Sequence, residues 1–288
     1  MKFFVTKLLL STLLLVQCCK SSVESKEAQT TTSPHHNHSM GSMEHSEHSD
    51  TETPGMADKI QAKLTVANTI TSKNSVPLAI DIQDKNGKVI NQFHRYQEKL
   101  MHLIVVSDNL QYFNHIHPQY KGNGRFEVAA SFPQPGGYTL FSDYKPARQK
   151  EQVSVLKTQA PGKSSTPIKI DLNRNKTFAD TKVNFSTSQT TIKADEEVHL
   201  IFKLKNPASD QPIADLQPYL GEKGHLVILR QSSPLKATDY IHAHAMKSTP
   251  PGEVHFMTSF PQPGNYKLWG QFNRNGQIVT ADFWINVV

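Results

Sequence analysis

The chain has 288 residues, of which 19% are charged and 37% hydrophobic, and its formal net charge is +6. Cys18 and Cys19 are its two cysteines, so the chain after them has no disulfide and must be stabilised by hydrophobic cores. No basic stripe interleaved with aromatic residues occurs in the sequence, which argues against nucleic acid as a partner.

The N-terminus predicts export. Lys2 and Lys7 give the chain a positive start, and a short apolar run follows from Leu8 to Val16. This run is too short for a membrane span, which needs about 20 residues. We therefore expect a signal peptide over residues 1–19. The segment before Cys18 resembles the lipobox of bacterial lipoproteins, although Gln17 stands where a small residue is usual. We expect a lipid anchor at Cys18 on the periplasmic or cell-surface face of a bacterial membrane; the alternative is an ordinary signal peptide.

Residues 20–58 are rich in Ser, Thr, Glu, His and Met, and they predict a disordered tether because they cannot bury enough apolar surface to order the chain. Imidazole suits copper and zinc, while thioether sulfur selects Cu(I), so the mixture favours copper over zinc. The tract resembles the His/Met-rich leaders of periplasmic copper-handling proteins, and the alternative is a polar spacer. Its candidate metal ligands are His35, His36, His38, Met40, Met43, His45 and His48.

The rest of the chain contains one sequence twice. Residues 131–136 and 259–264 are both Ser-Phe-Pro-Gln-Pro-Gly, and a Tyr follows two residues later in each. Two further landmarks repeat in the same order, a His-x-His and an upstream His-Leu. We infer a duplication with a first domain at 59–157, a linker at 158–177 and a second domain at 178–288. The Pro-Gln-Pro-Gly turns and the Tyr are interpreted as structural.

Short β-branched segments bounded by turn residues lie between these landmarks, as in residues 78–82, 103–106 and 226–229. No window shows a convincing helical period. About seven strands in about 100 residues is typical of an immunoglobulin-like sandwich. The predicted fold class is therefore all-β, with two tandem immunoglobulin-like β-sandwich domains.

Three histidines recur in each domain and are the candidate metal ligands of the body. A two-residue loop at Asp108–Asn109 would place one histidine directly opposite another across a hairpin, with the third diagonal on the same face. The gap is four residues longer in the second copy, an even insertion that keeps the faces aligned. The predicted opposed pairs are His102 with His115 and His225 with His242, and the diagonal residues are His117 and His244.

A structural alternative to metal ligation remains open at these positions. Ile104, Val106 and Phe113 share the face of the first set, so the histidines could instead lie at the rim of a core. The neighbouring Met101, Met246, His255 and Met257 are weaker candidates for auxiliary ligands.

The run Gly-His-Leu-Val at 224–227, with the His-x-His and the Phe-Pro-x-Pro-Gly-x-Tyr motifs, is similar to exported bacterial proteins with YtkA-like immunoglobulin-like domains. Ala245 departs from the Pro that usually follows His-x-His. The resemblance implies copper or heavy-metal homeostasis. We expect a metal-binding lipoprotein that sequesters or delivers copper, with an envelope metal-transport partner. A structural or adhesion module is the alternative. Nothing indicates an enzyme, although three histidines could in principle serve a copper oxidase.

Overall fold

The computed structural model describes residues 60–71, 74–164 and 166–288. The predicted signal peptide, Cys18 and the His/Met tract all lie outside these residues. Within them, no helix has the length and apolar character that a membrane crossing requires.

Eighteen strands and one short 3₁₀ helix follow one another along the described chain, which confirms the all-β class. The strands of the first half are β1 Ile60–Val66, β2 Val76–Asp84, β3 Phe93–His94, β4 Met101–Ser107, β5 Phe113–Ile116, β6 Gln119–Gly122, β7 Arg125–Ala130, β8 Gly136–Pro146 and β9 Gln152–Ala160. Those of the second half are β10 Asn175–Phe178, β11 Thr181–Thr187, β12 Glu197–Lys205, β13 Leu216–Gln217, β14 His225–Arg230, β15 Tyr240–His244, β16 Glu253–Ser259, β17 Gly264–Arg274 and β18 Gln277–Val287. The 3₁₀ helix is Ala237–Asp239.

The two halves are immunoglobulin-like β-sandwiches of the same design. In the first, one sheet has the order β1-β2-β7-β6, and the other has the order β3-β8-β4-β5 with β9 also on β8. In the second, the sheets are β10-β11-β12-β16 and β13-β17-β14-β15 with β18 on β17. Strands β1 to β5 and β7 to β9 therefore have counterparts in β11 to β18, while β6 and β10 are particular to one copy. The linker is shorter than the expected 158–177, because β9 continues to Ala160 and β10 begins at Asn175.

The repeated Pro-Gln-Pro-Gly turn has the same construction in both copies. Gly136 and Gly264 have φ of +115° and +140°, a backbone conformation that favours glycine. The buried Tyr138 hydroxyl donates to the carbonyl of Gln134 at 2.8 Å. The Tyr266 hydroxyl makes the corresponding bond to Gln262 at 2.7 Å. Each Tyr thus fastens its turn to the strand that follows.

A third apolar cluster lies between the two sandwiches, in addition to the core of each. Every residue of β4 is buried, because one face packs in the first core and the other against the second sandwich. The intervening cluster comprises Ile104, Val106, Leu110, Phe141, Val227, Leu229, Leu235, Tyr240, Trp269 and Trp284. The face that Ile104 shares with His102 is therefore the contact between domains.

Equivalent residues of the two repeats form two matching pairs across this contact. Phe113 of the first sandwich stacks on Trp269 of the second, with ring centroids 4.7 Å apart. Tyr240, which corresponds to Phe113, stacks on Phe141, which corresponds to Trp269, at 5.2 Å. Such reciprocal pairing is the mark of a two-fold interface, which here joins two copies within one chain.

Candidate metal centre

The β4–β5 hairpin carries the first set of histidines, with a register two residues away from the predicted one. Ile104 pairs with His115 and Leu103 with Ile116, so the predicted pairing of His102 with His115 is wrong. The loop spans residues 108–111, since the Ser107 N–H donates to the Tyr112 carbonyl at 3.2 Å. A shift of two residues leaves each side chain on its face. Extending the ladder by one pair puts His102 opposite His117, with His115 diagonal.

The β14–β15 hairpin differs from its prediction in the same way. His225 pairs with His244, and Val227 pairs with His242, so the predicted opposition of His225 and His242 is also wrong. The identical shift in both hairpins preserves the equivalence of the two sets. The extra four residues lie in the longer loop between β14 and β15 and do not change which side chains share a face.

His102, His115 and His117 bring three ring nitrogens together. One nitrogen from each residue lies within 4.8 Å of the other two. His102 Nδ1 and His115 Nε2 are 3.0 Å apart. The other ring nitrogens of His102 and His115 have polar partners: His102 Nε2 lies 3.0 Å from the carbonyl oxygen of Tyr96, and His115 Nδ1 lies 2.7 Å from Oε1 of Gln271. These partners fix the direction of two of the rings.

The second set is arranged less symmetrically. His242 Nε2 lies 3.4 Å from His225 Nδ1, while His242 Nδ1 lies 2.9 Å from Oδ2 of Asp143. His244 lies further out and is exposed, with its Nε2 3.0 Å from the Tyr96 hydroxyl. Among the described residues, only the first set has three potential ligand atoms this close together.

The two sets form one cluster instead of two separate sites. His225 stacks against His115 with ring centroids 4.5 Å apart and against His102 at 5.5 Å. The ring centroids of His102 and His242 are 5.6 Å apart. We call these six residues the histidine centre: His102, His115, His117, His225, His242 and His244. It lies where the two sandwiches meet, beside the apolar contact that aligns β4 with β14.

Three further residues complete the centre and were not identified from the sequence. Asp143 of the first sandwich contacts His242 of the second, and Gln271 of the second contacts His115 of the first. They are equivalent, because Asp143 pairs with His102 in its sheet and Gln271 pairs with His225. The only feature of the sequence that could have indicated Asp143 is that it is an acidic residue in the largely apolar strand β8. Tyr96 has no such signal, since a loop brings it to the centre.

Burial keeps four imidazoles of the centre uncharged. It lowers the pKa of His102 to about 4 and that of His117 to about 3, and neighbouring histidines lower both further. The pKa values of His115 and His225 also lie well below 6.5, with burial again the main cause. Burial, together with the nearby Asp143 carboxylate, raises the pKa of Tyr96, so its phenol keeps its proton. His102, His115, His117 and His225 are therefore neutral at neutral pH.

Several buried polar atoms of the centre lack a hydrogen-bond partner in the structure: His117 Nε2, His225 Nε2 and Asp143 Oδ1. Such atoms are rare in native proteins, since leaving one unsatisfied costs about 1–3 kcal/mol. Neutral imidazoles with lone pairs directed at one another are the donor set that copper and zinc prefer. Met101 is excluded as an auxiliary ligand, because it is buried in the first core on the face opposite His102.

Comparison with known proteins places the chain in a family. The family model described as a domain of unknown function, DUF8832, matches residues 55–160 and again residues 176–288. A search of curated proteins gives no match. The chain belongs to the DUF8832 family and contains two copies of its domain.

Solved structures that match the chain include bacterial and animal proteins. The Escherichia coli adhesin FdeC is 17% identical with a TM-score of 0.26, over 79% of this chain and 64% of that one. The D00-D0 domain of intimin is 10% identical with a TM-score of 0.22, over 79% and 99%. A two-domain fibronectin type-III segment of chicken tenascin is 11% identical with a TM-score of 0.24, over 80% and 99%. The chain thus spans less than two thirds of the adhesin.

Proposed function

We propose that this member of the DUF8832 family binds a transition-metal ion, copper in preference to zinc, at the histidine centre. One observation carries the proposal: one ring nitrogen from each of His102, His115 and His117 lies within 4.8 Å of the other two. Metal–imidazole bonds of about 2 Å allow nitrogens at this separation to share one ion after small side-chain adjustments.

The surroundings of these histidines suit metal ligation. A ligating His usually donates its other N–H to a carbonyl or carboxylate, which fixes the ring and makes the ligand nitrogen more basic. Tyr96 O serves His102 in this way, and Gln271 Oε1 serves His115. Asp143 serves His242, which leaves His242 Nε2 directed at His225. The depressed pKa values mean that few protons must leave when the metal binds at neutral pH.

The sequence outside the described residues supplies the cellular side of the proposal. An exported chain anchored through Cys18 would hold the histidine centre at a bacterial envelope, in the periplasm or at the cell surface. The His/Met tract of residues 35–48 would collect ions, and the centre would hold them for sequestration or for delivery to an envelope transport partner. Copper is preferred because the tract adds thioether ligands to imidazole. The resemblance to YtkA-like domains is in agreement with this role.

A titration of the full chain tests the metal assignment. The five histidines of the tract are changed to Gln and its two methionines to Leu, so that bound Cu(II) reports on the sandwiches. We expect a tight Cu(II) site that is lost in His115→Gln/His117→Gln and retained in the control His94→Gln, which alters an exposed histidine of β3. Near-ultraviolet circular dichroism checks the fold of each variant. Unchanged Cu(II) affinity in the folded double variant would refute the assignment.

A second candidate function is a structural or adhesion-type module at the cell surface. The observation that favours it is the number of polar contacts the centre makes between the two sandwiches, among them Asp143 with His242 and Gln271 with His115. In this case the histidines would fix the angle between domains without an ion. The same double variant would then lower stability, and the parent protein would show no tight Cu(II) or Zn(II) binding.

A further inference from the structure

The second sandwich carries a surface on which histidines and methionines alternate. His199 of β12 pairs directly with Met257 of β16. Past the end of β15, Ala245 bridges Phe256 in the antiparallel sense, so His244 is the neighbour of Met257. The Met246 N–H donates to the carbonyl of His255 at 2.8 Å, which makes these two residues neighbours as well. We call this set the His/Met patch: His199, His244, Met246, His255 and Met257.

Strand alternation directs these side chains away from the second core. Ala245 and Phe256 belong to that core, so the residues on either side of each point outward. His199 likewise lies between the buried Val198 and Leu200. Cross-strand neighbours have Cβ atoms about 4.5–5.5 Å apart, within reach of a shared ion for side chains of this length. Every His of the patch therefore has a Met as a cross-strand neighbour.

The placement of the methionines is informative. Residues 60–288 contain three, and Met101 is fully buried in the first core. The other two are in the patch, where the Met257 side chain is 48% exposed and contributes little to packing. Glu253 Oε2 holds His255 Nε2 at 2.7 Å, so Nδ1 is the ring nitrogen that faces a ligand. Thioether and imidazole together are the donors that select Cu(I).

The patch and the histidine centre share one residue. The His244 ring is stacked on that of His242, with centroids 5.6 Å apart and an interplanar angle of 15°. His242 in turn lies next to His225. A series of potential ligands thus runs from exposed Met257 through His244 and His242 to buried His225. A metal ion that binds His244 would displace the Tyr96 hydroxyl from Nε2 or the Gln97 amide from Nδ1.

We propose that the His/Met patch is a binding site for Cu(I), and that it passes the ion through His244 to the histidine centre. The ion moves by ligand exchange and stays Cu(I) throughout, so no oxidant or reductant takes part. The binding step stands on the patch alone, whereas the passage rests on the proposed function of the centre.

Silver(I), a redox-stable substitute for Cu(I), tests the binding step in the full chain. With methionine methyl groups labelled with carbon-13, we expect the signals of Met246 and Met257 to shift on addition of Ag(I). The signal of buried Met101 is the internal control and should not move. If Ag(I) in excess over all His and Met residues leaves the Met246 and Met257 signals unshifted, the patch is not a metal site.

The variant Met246→Leu/Met257→Leu tests the passage, with Met101→Leu as the matched control. Leu replaces Met with little change in volume. We expect the equilibrium affinity of the centre for Ag(I) to be unchanged. The rate at which Ag(I) reaches His225 and His242 should be lower than in the control by at least about tenfold, the equivalent of about 1.4 kcal/mol in the barrier. An unchanged rate would overturn the passage. A shift of the Met signals in a protein whose centre takes up no ion would refute the proposed function of the centre but not the patch.

Discussion

Acidification of the metal-free protein should weaken its folding through the histidine centre. Burial lowers the pKa of His102 to about 4, and it holds those of His115 and His225 well below 6.5. In the unfolded chain each imidazole takes up a proton below about pH 6.5, whereas in the folded protein it stays neutral. The stabilisation is therefore fully present above the unfolded pKa and is lost as the pH falls toward the folded pKa.

The size of the effect follows from the shift of His102. At about pH 5, a group that titrates near 6.5 when unfolded and near 4 when folded lowers the free energy of unfolding by about 2 kcal/mol. The lowered pKa values of His115 and His225 act in the same direction, so the total loss exceeds that from His102 alone. Even about 2 kcal/mol is a large share of the ~5–15 kcal/mol that stabilises a typical domain. A bound metal ion should oppose the loss, because it stabilises the neutral imidazoles.

Urea unfolding in the presence of a chelator measures this loss. Both tryptophans of the chain, Trp269 and Trp284, lie in the apolar contact between the sandwiches, so their fluorescence reports on that contact. His94→Gln is the control variant, because His94 is exposed and lies outside the centre. A free energy of unfolding that differs by less than about 1 kcal/mol between pH 7.5 and pH 5 would contradict the neutral, buried centre.

Three other changes probe the remaining features. Asp143→Asn keeps the shape but removes the carboxylate that orients His242, and it should weaken Cu(II) binding by about 10–100-fold in competition titrations, with the fold retained. Trp269→Ala removes the stack with Phe113 and should lower the free energy of unfolding by about 3–5 kcal/mol in urea titrations; a smaller loss would mean that the contact collapses around the gap. Deletion of residues 34–48 should reduce the copper bound per chain and leave the melting temperature of the metal-free protein nearly unchanged; a decrease of several degrees would contradict a tether without core contacts.

The fold could be predicted because its signals are local. Alternation, turn residues and an ordered repeat indicate strands and sandwiches without knowledge of distant contacts. The hairpin register could not be predicted in the same way. A loop at Asp108–Asn109 and the observed loop over 108–111 give identical alternation, and they differ only in which histidine is opposed. The face of the hairpin on which each histidine lies was therefore predictable, whereas its cross-strand partner was not.

The two histidine sets come together only because the two domains are in contact. The periodicity of the sequence carries no information about such a contact. Ile104 and Val106 could be recognised as apolar, but the sequence leaves open whether they face a core or another domain. Asp143 and Gln271 were missed for a related reason. Each lies next to a histidine of its own sheet yet contacts a histidine of the other sandwich, so its role exists only after the two copies have packed together.

Duplication explains why six histidines meet at this place. In a two-fold contact between identical domains, a residue close to the axis lies near its own counterpart in the other copy. Three histidines in one copy therefore become six in the pair. The copies then diverged where they meet. Asp143 gives His242 a charged partner, while Gln271 gives His115 a neutral one. The more converged ligand set therefore lies in the first sandwich, and the second contributes the histidine that extends to the surface, His244.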